Sequence, residues 1–411
     1  MTGSVPLKRL ISRSRPITYG IVQAGVDTPG GVPYIRPTDM TPRHGVRDEE
    51  SLLRTTPEIA AAYVRSTILT GDIVLSIGPS YGKVMVVPES LSGANLTQGT
   101  ARLASGPESD ARFLYWAVQT SQARDFWDLS VAGATFRALN LEPLSRTPIP
   151  LWPLDVQRRI ADFLDEQVVL LDRAIELRRE QRALLEERRW ALFLEDVGDA
   201  QPVPLRRVVT FMTDGPFGSA FTSADYAETG AAVIRLGNIG FGEYRPQGQV
   251  FIPETLWREF PRCHVRAGDL LVASLGDPKN HAGRACVAPE LGVALVKGKC
   301  FCVRVDERLA WCDYIALMLS SPTGADLLSV ETRGATRGMI NLDILRSVSI
   351  PLPTRQRQEE ITRRTRAEWE NVRRLSSLMA QNEGLLQERK QALITAAVTG
   401  EFDVTTARWV A

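Results

Sequence analysis

Histidine is nearly missing from this chain, with three among 411 residues. Metal sites and proton relays built on imidazole therefore have little to draw on. The five cysteines all lie beyond residue 260. Cys300 and Cys302 are one residue apart and Cys263 precedes His264, neither a zinc-ligand spacing. They are expected to be ordinary thiols of a reducing compartment, which fits a cytoplasmic location. No stretch reaches the roughly 18 apolar residues of a membrane span, so no membrane partner is expected. Met1 to Arg15 is basic but lacks an apolar core, so no signal peptide is expected there. The formal net charge is only +1. That is less positive than many nucleic-acid binders, so any such binding must rely on a local basic cleft.

Catalytic motifs are missing as well. No Gly-x-Gly-x-x-Gly follows a strand, and no phosphate-binding Gly-x-x-x-x-Gly-Lys-Ser/Thr loop is present. Gly78-Pro79-Ser80-Tyr81-Gly82-Lys83 has the wrong spacing for one. Asp277-Pro278-Lys279-Asn280 is not the Asn/Asp-Pro-Pro-Tyr/Phe sequence of amino-methyltransferases. Adjacent residues rarely present both side chains to one substrate, so Cys263-His264 is a poor nucleophile–base pair. No catalytic residue, metal or cofactor is expected.

What the chain does contain is itself, twice. Val5-Pro6-Leu7-Lys8-Arg9 returns as Val203-Pro204-Leu205-Arg206-Arg207. Leu69-Thr70-Gly71-Asp72-Ile73-Val74 returns as Arg266-Ala267-Gly268-Asp269-Leu270-Leu271. Gly133-Ala134-Thr135 returns as Gly334-Ala335-Thr336, and Ile149-Pro150-Leu151 with Gln157 and Ile160 returns as Ile350-Pro351-Leu352 with Gln358 and Ile361. A period near 200 residues is too long for a solenoid unit and reads as a duplicated domain with a helix. A repeated body with diverged surfaces suggests two similar tasks on two targets.

Each copy begins as a mixed globular part. Short apolar runs such as Ile73-Val74-Leu75 and Val84-Met85-Val86-Val87, punctuated by Gly, Pro, Asn and Ser, predict strands. One helix is predicted over Ala111 to Arg124 and another near Trp311 to Ser320. Each copy ends in a proline-free stretch with a narrow apolar stripe, about Leu154 to Glu195 and Arg355 to Val398. Helices of about 60 Å follow, and the stripe predicts antiparallel coiled-coil pairing. Gly400 is the expected C-cap of the second. The fold class is thus α+β: two tandem mixed α/β domains, 1–153 and 199–353, separated by long antiparallel coiled-coil helices, 154–198 and 354–400, as a pseudo-two-fold internal repeat. A tail, 401–411, closes the chain.

These doubled motifs, with Ala396-Ala397-Val398-Thr399-Gly400-Glu401-Phe402-Asp403-Val404 at the end, resemble the DNA-specificity subunits of type I restriction–modification systems. The resemblance covers nearly the whole chain. It implies two target-recognition domains, each reading one half of a bipartite, asymmetric site in double-stranded DNA. It also implies a noncatalytic role, with two methyltransferase (M) subunits and restriction (R) subunits as partners. Thr354 and Arg355-Gln356-Arg357 depart from the first copy's Leu154 region, so the second helix is expected to start differently. The competing readings are a DNA-modifying or DNA-cleaving enzyme with an unrecognised site, and a coiled-coil assembly protein.

Candidate DNA contacts lie on three loops per copy, where polar and basic side chains can reach bases or phosphates. One follows the repeated strand at Tyr34 and Val233, with Arg36, Asp39, Arg235 and Asn238. The loop after the Gly-Asp strand offers Ser80, Tyr81 and Lys83, and in the second copy Lys279, Asn280, His281 and Arg284. The glycine loops offer Thr135 and Arg137, and Thr336 and Arg337. Lys297 and Lys299 are expected to touch phosphates or water rather than bases. Asp72 and Asp269 are assigned to structure, as turn formers.

Overall fold

The computed structural model describes residues 3–41, 45–78, 80–131, 138–216, 220–331 and 338–404. The chain divides into two compact units, Met1–Arg179 with Ala380–Ala411, and Glu180–Met379. Each long helix contributes residues to both.

In the first unit Ser4–Pro6 pairs antiparallel with Pro148–Pro150, which ties the start of the globular part to its end. A four-stranded antiparallel sheet runs in the order Thr18–Tyr19, Thr100–Leu103, Ile73–Ser76, Val84–Val86. Ile73–Ser76 lies between two neighbours and is buried throughout, so its apolar run is continuous rather than alternating. A three-stranded sheet sets Val32–Ile35 between Arg54–Thr55, antiparallel, and Asn95–Leu96, parallel. Phe113, Leu114, Trp116 and Trp127 from two helices pack with Ile73, Leu75 and Leu103.

The second unit repeats this plan. Pro202–Pro204 pairs with Ser349–Pro351. Its antiparallel sheet runs Val209–Asp214, Cys300–Val305, Leu270–Ala273, Ala285–Val287. Its other sheet again holds a parallel pair, Ala231–Ile234 with Ala294–Val296, flanked by Val250–Ile252 and His264–Val265. Asp72 and Asp269 close equivalent turns: their carboxylates accept the backbone N–H of Leu69 (2.8 Å) and Arg266 (2.9 Å). Each also holds an arginine, Arg15 and Arg304 respectively.

The predicted helix over Ala111 to Arg124 is two helices, Ala111–Ala117 and Ser121–Val131. Thr120 ends the continuity, because its hydroxyl accepts the Ala123 N–H (3.2 Å) as an N-cap. Ser321 does the same in the second unit for Gly324 (3.0 Å), with Pro322 opening the next helix.

The long helices span Leu154–Val197 and Arg355–Thr399. Both start at the same place relative to Gln157 and Gln358, so Thr354 does not displace the second. Its backbone carbonyl accepts from Gln358 (3.0 Å), as Pro153 accepts from Gln157. Within the first unit Asp172 meets Lys390 (2.6 Å) and Glu383 meets Arg179 (2.7 Å). Within the second Asp196 meets Arg364 (3.0 Å), and Trp190 packs edge-on to Trp369 at 4.8 Å. Rising numbers on one helix meet falling numbers on the other, so the pairing in each unit is antiparallel. Each core extends onto the helices, through Ile160, Leu164, Val168, Ile394 and Val398 in one and Phe193, Ile361 and Trp369 in the other. Burying each such side chain contributes about 1.5–3 kcal/mol. The apolar stripe is not buried along its whole length, since Leu184 and Leu375 are exposed. Gly400 caps the second helix at φ +82°. No helix among the described residues is long and apolar enough to cross a membrane.

Candidate nucleic-acid interface

Four segments of each unit are drawn together by the same three backbone hydrogen bonds. The Thr97 N–H donates to the Ile35 carbonyl (3.2 Å), and Lys297 donates to Ile234 (3.0 Å). Ile77 donates to Gly99 (2.8 Å), and Ser274 to Lys299 (2.9 Å). Leu139 donates to Ile77 (2.9 Å), and Ile340 to Ser274 (2.8 Å). Strand ends hold these segments, so the loops sit on a rigid frame while their side chains differ. The three loops singled out in the sequence converge here, the glycine loops through the residues just after them. A fourth, Thr97-Gln98-Gly99, lies with them and was missed in the first copy. Its signal was available: it stands 200 residues before Lys297-Gly298-Lys299.

In the first unit Ser80 and Lys83 are exposed, and the Lys83 ammonium donates to the Pro37 carbonyl (3.1 Å), which joins two of the loops. Tyr81 is half-buried and its hydroxyl bonds to Asp128. Arg36 makes a two-pronged pair with Asp39 (2.9 and 2.7 Å), and this hydrogen bonding holds the guanidinium above its ordinary pKa. Thr135 and Arg137 lie outside the described residues.

In the second unit Lys279 is exposed. The Asn280 amide donates to both Asp277 oxygens (3.0 and 2.9 Å). Lys279 and Asn280 N–H groups also donate to that carboxylate, so the loop is a closed turn. The backbone hydrogen bond from Lys279, then the one from the Asn280 side chain, holds the Asp277 carboxyl below its ordinary range. His281 is half-buried, with ring nitrogens 2.9 Å from the Ala282 carbonyl and 3.2 Å from that of Ser320. The Arg235 guanidinium donates to the Gly248 carbonyl. Thr336 and Arg337 lie outside the described residues.

Two candidates are placed in the interior instead. Arg284 is 3% exposed and donates to the carbonyls of Ile239, Leu275, His281 and Leu236 at 2.9–3.2 Å. Burial lowers its pKa. It braces two loops from beneath, the one after Ala231–Ile234 and the one after Leu270–Ala273, and leaves no donor pattern to offer a base edge. Asn238 is 1% exposed; its oxygen accepts the Arg235 N–H (3.0 Å) and its amide donates to Arg245 (2.9 Å). Asp39 closes the equivalent turn by accepting the Arg36 N–H (2.9 Å). These are turn formers, and the sequence did not distinguish them from readers.

The His264 ring stacks on Trp257 at 3.7 Å, and burial raises the Cys263 thiol.

A family model described as the type I restriction modification DNA specificity domain matches residues 23–187. A type I restriction enzyme EcoBI specificity subunit from Escherichia coli is 27% identical over 169 residues, covering 40% of this chain and 35% of that protein. A type I restriction enzyme MjaVIII specificity subunit from Methanocaldococcus jannaschii is 20% identical over 324 residues, covering 72% of this chain and 71% of that protein. The chain is thus similar to specificity subunits of type I restriction–modification systems, most specifically over residues 23–187. The match spans about a third of the length of the E. coli specificity subunit and most of the archaeal one. The chain also shares its fold with a solved structure concerned with complex assembly and conformational transition of the type I R-M system, with a TM-score of 0.66 and 19% identity over 98% of this chain and 95% of that one.

Proposed function

We propose that the chain is the noncatalytic DNA-recognition subunit of a type I restriction–modification complex. It binds a bipartite, asymmetric target in double-stranded DNA, with one half-site per globular repeat, 1–153 and 199–353. One observation carries this reading: the same backbone hydrogen bonds gather the same loops in both units, while the side chains on those loops differ. A common frame with unlike surfaces is what reading two different short sequences requires. Direct readers are sought among the exposed residues of those loops, Ser80, Lys83 and Gln98 in the first unit and Lys279 in the second, and the half-buried Arg36 and Arg235. The glycine-loop residues Thr135, Arg137, Thr336 and Arg337 remain candidates.

The long helices are the proposed seat of two methyltransferase subunits, which restriction subunits then join. Exposed leucines support this, Leu170 and Leu177 in the first unit and Leu375 and Leu378 in the second. Solvated charge alone would not call for them.

The test is a methylome of cells that carry the cognate methyltransferase subunit with and without this chain. A bipartite methylated sequence that appears only with the chain supports the reading. A stable complex that produces no new methylation contradicts it.

A further inference from the structure

The two loop clusters differ in charge more than their shared frame requires. Among the described residues of the first, Arg36 and Lys83 stand with two carboxylates, Asp39, paired to Arg36 at 2.7 Å, and Asp128, which the Tyr81 hydroxyl bonds. In the second, Arg235, Lys279, Lys297 and Lys299 stand with one carboxylate, Asp277, which is taken up by its own turn. Among the described residues no ion pair engages Lys279, Lys297 or Lys299.

Lys297 is also held in place. Its ammonium lies 4.3 Å from the Phe221 ring centroid and 4.9 Å from that of Tyr226, and donates to the Tyr226 hydroxyl at 3.2 Å. Aromatic faces fix a cation without neutralising it. Gly298, at φ +57°, turns the chain between Lys297 and Lys299 in a conformation that other residues rarely adopt. The first unit has Thr97 and Gly99 at these positions, and the Thr97 hydroxyl donates to the Ile35 carbonyl (3.3 Å). At these positions the first cluster thus offers neutral donors and acceptors, chiefly Gln98, where the second offers two cations.

We infer that the second unit grips its half-site chiefly through the DNA phosphates, with Lys297 and Lys299 as the phosphate-binding residues, while the first unit relies on uncharged contacts from Thr97-Gln98-Gly99. This rests on the proposed function and assigns the electrostatic share of binding to one half-site.

Each neutralised phosphate steepens the dependence of log affinity on log salt by about 0.9. Binding is measured on the intact chain in its methyltransferase complex, by fluorescence anisotropy across salt concentrations. The duplexes are the methylated target and versions with either half-site scrambled. The variants are the double substitution K297Q/K299Q, the charge-keeping double K297R/K299R, and Gln98→Ala. K297Q/K299Q is expected to flatten the slope by about 1.8, with similar losses on the target and on the duplex scrambled in its second half. K297R/K299R keeps the parent slope. Gln98→Ala keeps the slope and weakens discrimination against the duplex scrambled in its first half. An unchanged slope in K297Q/K299Q overturns the inference. So does a slope lost equally in K297R/K299R, which would mark a packing role against Phe221 and Tyr226. A parent complex with no salt-dependent duplex binding would instead overturn the functional reading, and the inference with it.

Discussion

The Gln157 side chain accepts the backbone N–H of Asp110 at 2.9 Å. Two hundred and one residues on, Gln358 accepts the N–H of Trp311 at 2.8 Å. Each amide then donates to two further carbonyls, Glu108 and Trp152 in one unit, Leu309 and Pro353 in the other. All these partners keep the same offset. Both glutamines are 0% exposed. Each one pins the first turn of a long helix to the start of a globular-domain helix, Ala111–Ala117 or Cys312–Ser320. That explains why Gln stands in both Ile-Pro-Leu motifs: no other side chain of that length both donates and accepts without charge.

Gln157→Leu or Gln358→Leu should therefore leave buried backbone groups unpaired and destabilise its own unit by roughly 1–3 kcal/mol. Urea unfolding of each variant, with hydrogen exchange to locate the loss, checks this. A loss below a few tenths of a kcal/mol would mean that the pin is dispensable.

Arg284→Met should behave as a stability variant. It keeps the side-chain volume but strips hydrogen bonds from four interior carbonyls, with an expected loss of roughly 1–3 kcal/mol. Below the unfolding transition the methylated sequence should be unchanged. A relaxed second half-site in a fully folded variant would restore Arg284 as a reader.

Gly400→Ala places a side chain at φ +82°, and its Cβ would lie 2.7 Å from the Trp152 ring. The left-handed conformation alone costs about 1–2 kcal/mol. Thermal unfolding should show the loss, and Gly384→Ala, which meets nothing within 4 Å, should be neutral or stabilising.

Burial pushes Cys286 and Cys300 up to about 12, and raises Cys302 and Cys312 further. A raised thiol pKa keeps the sulfur protonated at pH 8, where the thiolate is the reactive form. Native protein treated with iodoacetamide at pH 8 should resist alkylation at these four positions and lose that resistance in denaturant. Mass spectrometry reads the outcome by residue.

Asp277 carries a depressed pKa, so the loop stabilisation it supplies is complete above the ordinary carboxyl range. It is lost as pH falls through the depressed value. Exchange of the Lys279 and Asn280 amides should accelerate only in acid, and Asn280→Ala should move the onset to higher pH.

Much of this was legible in the sequence because the repeat supplied each element twice. The long helices lie where the apolar stripe and the flanking prolines put them, and Gly400 caps as its position suggested. The break at Thr120 was not legible in the first copy, since a capping threonine inside an amphipathic run leaves the stripe intact. Pro322 marks the same break openly in the second. The candidate interface was half legible. Loops were found from turn residues and offsets, but exposure was not. Arg284 and Asn238 are polar residues on loops, as readers would be, yet both turn inward to satisfy carbonyls that sequence cannot place. Gln98 was passed over because glutamine between Thr and Gly carries no motif of its own.

The most direct test of the central claim is to exchange residues 1–153 for those of a related specificity subunit and read the methylome with the cognate methyltransferase. One half of the bipartite sequence should change while the other half stays as it was. A change in both halves, or in neither with methylation intact, would contradict the assignment of one half-site to each repeat.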